Sequence, residues 1–327
     1  MYKNYSFSIV VPVYNTKKEY LIESLTSLIN LKYDNYEIII IDDGSNNETK
    51  SILKSFDNNK IVYIENESNC GQHISRINGV IKAKGDYVLF VDSDDLLDYE
   101  SLLTLNEILN NKEYDMLMFG YSRFDNNVNE IKFTHNYFEP GELEKDSVIK
   151  ELVSFHINGA CLKCTKRNLI STKINRYVNT NLREGEDLAL STDLVMNSNS
   201  FFYTDKQIYF YRINNNNREY YSFDDIKSTD RILPTYYIVF KDNQYNHLLK
   251  YFKEATIKMI IYKIIVILKH HNINDAKVLL DELSNLECTK IIKNMQAKTK
   301  IIYEFLFFLF INKKYGLFIL ASRFCNL

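Results

Sequence analysis

The N-terminal third of this chain alternates short apolar runs with longer amphipathic segments, and that alternation limits the fold more than any other feature. Residues 7–13 (FSIVVPV), 36–41 (YEIIII), 61–64 (IVYI) and 87–91 (YVLFV) have the length and β-branched content of strands buried on both faces. Residues 115–121 (DMLMFGY) continue the series. Between them, 19–31, 48–56, 72–83 and 99–110 read as helices, the first with Leu21, Leu25, Leu28 and Ile29 on one face. Repeated strand–helix–strand units of this kind predict an α/β fold with a doubly wound, mostly parallel sheet. Ligands of such sheets bind beyond the carboxyl ends of the strands.

Three polar clusters fall at those ends: Val13-Tyr14-Asn15, Asp42-Asp43, and Asp92-Ser93-Asp94-Asp95. Three carboxylates within four residues repel one another, so the last cluster needs solvent or a bound cation. As an isolated motif it fits a solvated helix start equally well. Three such clusters around one crevice favour a ligand site. Asp92 and Asp94 are hard oxygen donors suited to Mg2+ or Mn2+. These ions usually join one or two carboxylates to substrate phosphates, so the cluster predicts a phosphate-bearing ligand. The chain has no G-x-x-x-x-G-K-[ST] loop, and no G-x-G-x-x-G follows the first strand. P-loop and dinucleotide sites are thereby excluded.

The bulk composition narrows the field further. At 327 residues, 46% hydrophobic and 25% charged, the chain has ordinary globular composition. A formal net charge of −2 does not suggest a nucleic-acid partner. Five cysteines at irregular spacing make no disulfide framework and fit a cytoplasmic location, with no signal peptide. Cys161-x-x-Cys164 has no companion pair for zinc. Asn, Lys, Ile and Tyr are abundant, Gly (9) and Pro (3) scarce and Trp absent, which points to an A+T-rich, bacterial coding sequence. The tract Asn214–Asn217 needs no functional explanation on that basis.

SIVVPVYN, IIIIDDGS and NCGQHISRINGVIKAKGDYVLFVDSDD, in that order, resemble the nucleotide-diphospho-sugar transferases of glycosyltransferase family 2, which have the GT-A fold. The resemblance is strong over 6–121 and weaker to about 215. It implies that Pro12, Val13, Tyr14 and Asn15 line the nucleotide pocket, and that Asp43, with Asp42 beside it, contacts base and ribose. Arg76 would lie near the base and diphosphate. Asp92, Ser93 and Asp94 would form the D-x-D, with Asp94 as direct metal ligand and Asp92 serving the ribose and the metal's outer shell. The family writes R-N-x-G where this chain has Arg76-Ile77-Asn78-Gly79. Transfer with inversion needs a carboxylate to take the acceptor hydroxyl's proton. Arg183-Glu184-Gly185-Glu186-Asp187-Leu188 resembles the family's E-D motif, which makes Asp187 the base and Glu186 its orienting neighbour; an acidic helix start is the plain alternative. Residues 158–163 (NGACLK), ending in Lys163, resemble the acceptor-side stretch, and Tyr211-Arg212 the start of a loop that closes on the diphosphate.

The expected enzyme is a metal-dependent, non-processive inverting glycosyltransferase. Its donor would be a nucleotide sugar, commonly a UDP-hexose or UDP-N-acetylhexosamine. Its acceptor would be a bacterial surface glycan or lipid-linked glycan. Processive synthases share the N-terminal pattern but carry Q-x-x-R-W and membrane spans, and this chain has no Trp. A nucleotidyltransferase would show a Gly-rich loop after the first strand, where this chain has VPVYNTKKEY. A non-catalytic nucleotide-sugar scaffold would more readily have lost Asp94 or the Glu186-Asp187 pair. The expected organisation is a nucleotide-sugar half at 1–121, an acceptor-side half at 122–223 and a helical extension at 224–327. The apolar tail at 301–324, with Lys313, Lys314 and Arg323, has three readings: folded on its own core, a homodimer contact, or an interfacial helix on the inner face of the membrane.

Overall fold

The computed structural model describes residues 2–125, 128, 130–172, 185–213, 233, 234, 237, 240, 241, 244–270, 273–296 and 298–318. Arg183, Glu184, the tract Asn214–Asn217 and the tail beyond residue 318, including Arg323, lie outside them. The elements follow in chain order as β1 (Phe7–Val13), α1 (Lys18–Ile29), β2 (Tyr36–Asp42), α2 (Asn47–Ser55), β3 (Ile61–Glu65), α3 (Gln72–Lys82), β4 (Tyr87–Phe90), β5 (Leu96–Leu97) and α4 (Ser101–Asn111). Next come β6 (Met116–Phe124), β7 (Phe133–His135), β8 (Gly141–Leu143), α5 (Lys145–Val153), β9 (Lys163–Lys166), α6 (Glu186–Asn197) and β10 (Phe201–Arg212). The helices α7 (Leu249–His270), α8 (Ile273–Asn285), α9 (Glu287–Asn294) and α10 (Ile301–Ile311) complete the described order.

The described strands form one sheet in the order β3-β2-β1-β4-β9-β6-β10-β5, with β7 on β6 and β8 on β10. The pairs β3–β2, β2–β1 and β1–β4 are parallel, as the apolar runs predict. The strand after β4 in sequence does not lie beside it. β9 inserts antiparallel between β4 and β6, and β10 then runs parallel to β6. The expected boundary at 121 falls inside β6, so the two halves share one sheet. Described residues of Met1–Val148, Ile157–Asn181 and Glu186–Asn215 make one compact unit; those of Ile149–His156, Gly185 and Asn216–Leu327 make a second.

In the first unit, Phe7, Ile9, Val11 and Ile38, Ile40 of the central strands pack with Leu21, Leu25 and Leu28 of α1, all solvent-free. On the other face α3 lies close against β1. A Cβ at Gly79 would come within 2.3 Å of Val10 Cγ1, so only glycine permits this approach. Register then sets the site. Val13 of β1 lies opposite Asp42 of β2, so both chains leave the sheet at one level. β4 ends against Val10, and Val91 N–H donates to Val10 O at 3.0 Å, which places the D-x-D loop next to both exits.

That loop is a tight turn, with Asp95 N–H donating to Asp92 O at 3.0 Å. The reversal separates Asp95 from its two neighbours. Its carboxylate is 1% exposed, accepts from Tyr209 Oη at 2.6 Å and Arg212 N–H at 2.8 Å, and ties the loop to β10. Burial, then the Asp92 and Asp94 charges, push its carboxyl well above the usual range. Asp95→Asn keeps a donor and an acceptor in place without charge, so its melting temperature at neutral pH should match or exceed wild type. Asp95→Ala strands two buried groups and should cost about 1–3 kcal/mol in denaturant unfolding. Equal loss in both variants would contradict a structural role for this carboxyl.

Candidate active site

A cavity of about 230 Å³ opens beyond the carboxyl ends of β1, β2 and β4, lined by Pro12, Val13, Tyr14, Thr16, Asp43, Asn69, Gly71, Gln72 and Ser93. Of the residues expected to line a nucleotide pocket, Pro12, Val13, Tyr14, Asp43 and Ser93 are among them. Tyr14 is exposed and available as a platform for a planar group. Asn15 instead shapes the rim: at φ 49°, a conformation Asn tolerates, it donates its N–H to Ser45 Oγ (3.2 Å) and accepts from Asn46 N–H (2.8 Å). Thr16 and Ser93 hydroxyls meet at 2.5 Å and link the β1 exit to the D-x-D turn.

Asp42 and Asp43 are buried and committed. Asp42 accepts from Ser45 N–H at 2.8 Å and Tyr63 Oη at 2.9 Å. Asp43 accepts from Asn66 Nδ2 (2.8 Å), Cys70 N–H (3.0 Å) and Cys70 Sγ (2.9 Å) on one oxygen, and from Gly71 N–H (2.9 Å) on the other. Burial works against its charge, but these donors hold its carboxyl below the usual value. Asp43 thus fixes the 69–71 segment as well as lining the cavity. Gly71 enters α3 at φ 92°, a conformation that favours glycine.

α3 has no capping side chain of its own. Its orphan N–H groups are met from outside, by Asp43 at Gly71 and by Glu186, whose Oε2 accepts His73 N–H at 3.2 Å. Glu186 and Asp187 open α6, so this contact sets α6 against α3. Arg76, one turn after His73, is fully buried. Its Nη1 donates to Asp187 Oδ1, and its Nη2 to Asp92 Oδ1 at 2.8 Å. Burial alone would lower the guanidinium's pKa, but Asp187 and Asp92 raise it, so it stays a cation. The expectation for Arg76 was a place near base and diphosphate. The structure puts its terminal nitrogens on two carboxylates instead, because only such partners offset burial of a full charge.

Asp92 accepts on Oδ1 from Gln72 Nε2 (2.7 Å) as well as from Arg76. Burial raises its carboxyl's pKa, against the pull of Arg76. Both bonds fall on Oδ1, which leaves Oδ2 for a ligand; Asp94 lies half-buried two residues on. Among the described residues, no three or more His, Cys, Asp or Glu side chains converge as a metal cage. A pair of carboxylates completed by ligand phosphates is therefore the arrangement that would suit Mg2+ or Mn2+ here.

Two expected site residues turn inward. Lys163 is 1% exposed, and its Nζ donates to Ile157 O (2.7 Å), Gly159 O (2.7 Å) and Ser191 Oγ (3.1 Å). Burial lowers its pKa to about 8. It braces α6 from behind and does not face an acceptor. Arg212 is equally buried: Nε donates to Asp94 O (2.8 Å), Nη2 to Glu23 (2.5 Å), and its plane lies over Tyr20 and Phe124. It anchors the D-x-D turn, with its guanidinium spent, while Tyr211 beside it is exposed. Sequence reasoning gave no individual role to Asp95, Gln72 or His73. His73 is 3% exposed with neither ring nitrogen hydrogen-bonded, and burial followed by Arg76 lowers its pKa to about 4, so it is a neutral imidazole. Its helix-face spacing of three from Arg76 was the available signal.

Burial pushes the Glu186 carboxyl up to about 7, against the pull of Arg76 and with the push of Asp187. A carboxyl raised on folding stabilises most below its unfolded pKa, and that contribution is lost as pH rises through 7. Glu186→Gln still accepts from His73 N–H but cannot ionise. Its melting temperature relative to wild type should therefore rise from about pH 6 to about pH 8. A difference that is flat or falling across that interval would show that Glu186 is not the group gaining charge.

A profile of glycosyl transferase family 2 matches residues 8–171, half of the chain. A glycosyltransferase of Streptococcus pneumoniae, GlyA, is 32% identical over 218 residues, covering 63% of this chain and 30% of its own length. A Campylobacter jejuni GalNAc(5)-diNAcBac-PP-undecaprenol beta-1,3-glucosyltransferase is 30% identical over 171 residues, 51% of this chain and 53% of that one. The chain thus spans about a third to a half of these relatives. The crystal structure of Staphylococcus aureus TarS 1-349 in complex with UDP-GlcNAc superposes with a TM-score of 0.73 at 19% identity, over 97% of this chain and 90% of that one. That likeness identifies the GT-A fold. With sheet order, strand-end cavity and family profile in agreement, the chain belongs to glycosyl transferase family 2.

Proposed function

We propose that this protein transfers a sugar, with inversion, from a nucleoside-diphosphate donor to a hydroxyl of a bacterial surface glycan or lipid-linked glycan. The observation that carries this reading is the buried guanidinium of Arg76, which joins Asp92 of the D-x-D turn to Asp187 of α6 beside the strand-end cavity. A donor carboxylate pair and a base carboxylate are what inverting transfer requires, on opposite sides of the reacting carbon. The relatives named for glycosyl transfer support the same reaction class.

In this reading Tyr14 faces the base, while Asp43 shapes the pocket through the 69–71 segment. Asp92 Oδ2 and Asp94 would hold Mg2+ or Mn2+, which when bound offsets charge on the departing diphosphate. Asp187 accepts the acceptor's proton. Its pairing with Arg76 fixes its direction. Glu186 orients the pair by docking on α3. Arg76 acts through the two carboxylates and keeps the base at a set distance from the D-x-D turn.

Two variants test this. Asp187→Asn leaves the cavity lining intact, so UDP with Mn2+ should still raise the melting temperature while transfer from a nucleotide sugar falls by roughly 10²–10⁴-fold. Full transfer by that variant would move the base to another carboxylate. Asp94→Ala should lose most of the Mn2+-dependent UDP shift, and a shift that persists in the variant and survives EDTA would refute the metal assignment.

A further inference from the structure

The helical unit carries an apolar face that its described residues leave exposed. In α10 (IIYEFLFFLFI) Leu306, Phe307, Leu309 and Phe310 are buried, and α10 packs on α7. Ile301, Phe305 and Phe308 are 88%, 48% and 55% exposed. Spaced by four and three, they form one stripe along the helix. Leu317, also exposed, follows the helix's end. Glu304, the one acid in α10, is tied down by Lys253 Nζ at 2.8 Å and Thr299 Oγ1 at 2.9 Å, so it does not interrupt the stripe.

Cations bracket this stripe. Lys298 and Lys300 precede α10 and Lys313 and Lys314 follow it, all exposed. Lys313 lies 3.2 Å from Asp281; the other three make no ion pair with a described residue. We propose that this face lies flat on an anionic lipid surface, with Ile301, Phe305 and Phe308 in the headgroup–acyl boundary and the lysines among the phosphates. The chemistry is that of an interfacial helix: an apolar side entering the boundary, with basic residues at headgroup level. A spanning arrangement is excluded for α10. Eleven residues make about 16 Å of helix against a hydrocarbon core of about 30 Å. No helix of the described residues is long and apolar enough to cross a membrane. A second copy of the chain would match the apolar stripe but would bring like charges against like at both ends.

The test needs no transferase activity, so it stands or falls apart from the proposed function. The full chain is sedimented with vesicles of phosphatidylcholine alone and with vesicles half phosphatidylglycerol, at low and high salt. Binding is expected to the anionic vesicles at low salt and to weaken at high salt. The variant Phe305→Glu with Phe308→Glu changes only exposed positions and should lose at least tenfold in bound fraction at an unchanged melting temperature. Lys298→Gln, Lys300→Gln and Lys314→Gln together should remove the preference for anionic lipid. No sedimentation of wild type with anionic vesicles at low salt overturns the proposal. So does equal binding by the Phe305→Glu/Phe308→Glu variant. A dimer seen by light scattering that this variant dissociates, without vesicle binding, assigns the face to a second copy and overturns it as well.

Discussion

A buried guanidinium holds the two sides of the site in register. Arg76 has no solvent to stabilise its charge, so it must keep carboxylate partners, and it draws one from each of two segments far apart in sequence. Removing either acid would leave a buried cation half-compensated, an expensive state. The spacing between the D-x-D turn and the start of α6 therefore follows from the length of one arginine fork rather than from loop chemistry. Its planar, two-pronged geometry does this where a lysine's point charge would not.

Around that link, other buried polar groups fix the loops in the same way. Asp43 grips the 69–71 segment, Asp95 and Arg212 hold the D-x-D turn to β10, and Lys163 ties 157–159 to α6. Each group satisfies backbone atoms that a loop cannot pair within itself. The outcome is a site assembled from loops, each tied to a neighbouring element by buried hydrogen bonds. His73 takes no part in them. Its ring is buried among these networks, hydrogen-bonded to none of them, and it keeps one donor and one acceptor unused.

The sequence conveyed the local part of this design and missed the part made by tertiary direction. The β1, β2, β3 and α3 boundaries were legible within about two residues because burial on both faces and helical period are written into consecutive positions. β9 (KCTK) was not, since four residues of mixed character carry no period and their pairing is decided by β4 and β6. The D-x-D cluster was visible as three like acids. Nothing in DSDD says that a turn sends Asp95 inward to Tyr209 while Asp92 meets Arg76. Lys163 and Arg212 were legible as charges near a motif, and charge near a motif suggests a ligand contact. Whether a long side chain points into the crevice or through the wall behind it depends on neighbours such as Ser191 and Glu23, more than twenty positions away in the chain.

The balance of charge explains why the site would call for a cation. Among the described residues, Asp92 and Asp187 pair with the Arg76 guanidinium, Glu186 feels it as well and Asp94 stands two residues from Asp92, while Arg212 is matched with Glu23. A nucleoside diphosphate brought there alone would meet repulsion from its own kind of charge in a partly desolvated cleft, where screening is weak. Two features reduce that surplus without metal: Glu186 is raised to about 7, and Asp95 is held well above the usual range. Neither supplies positive charge. On the proposed reading, the net negative character of the described site makes donor binding contingent on a divalent ion. One guanidinium, that of Arg76, ties Asp187 to Asp92 and so sets where the proposed base stands.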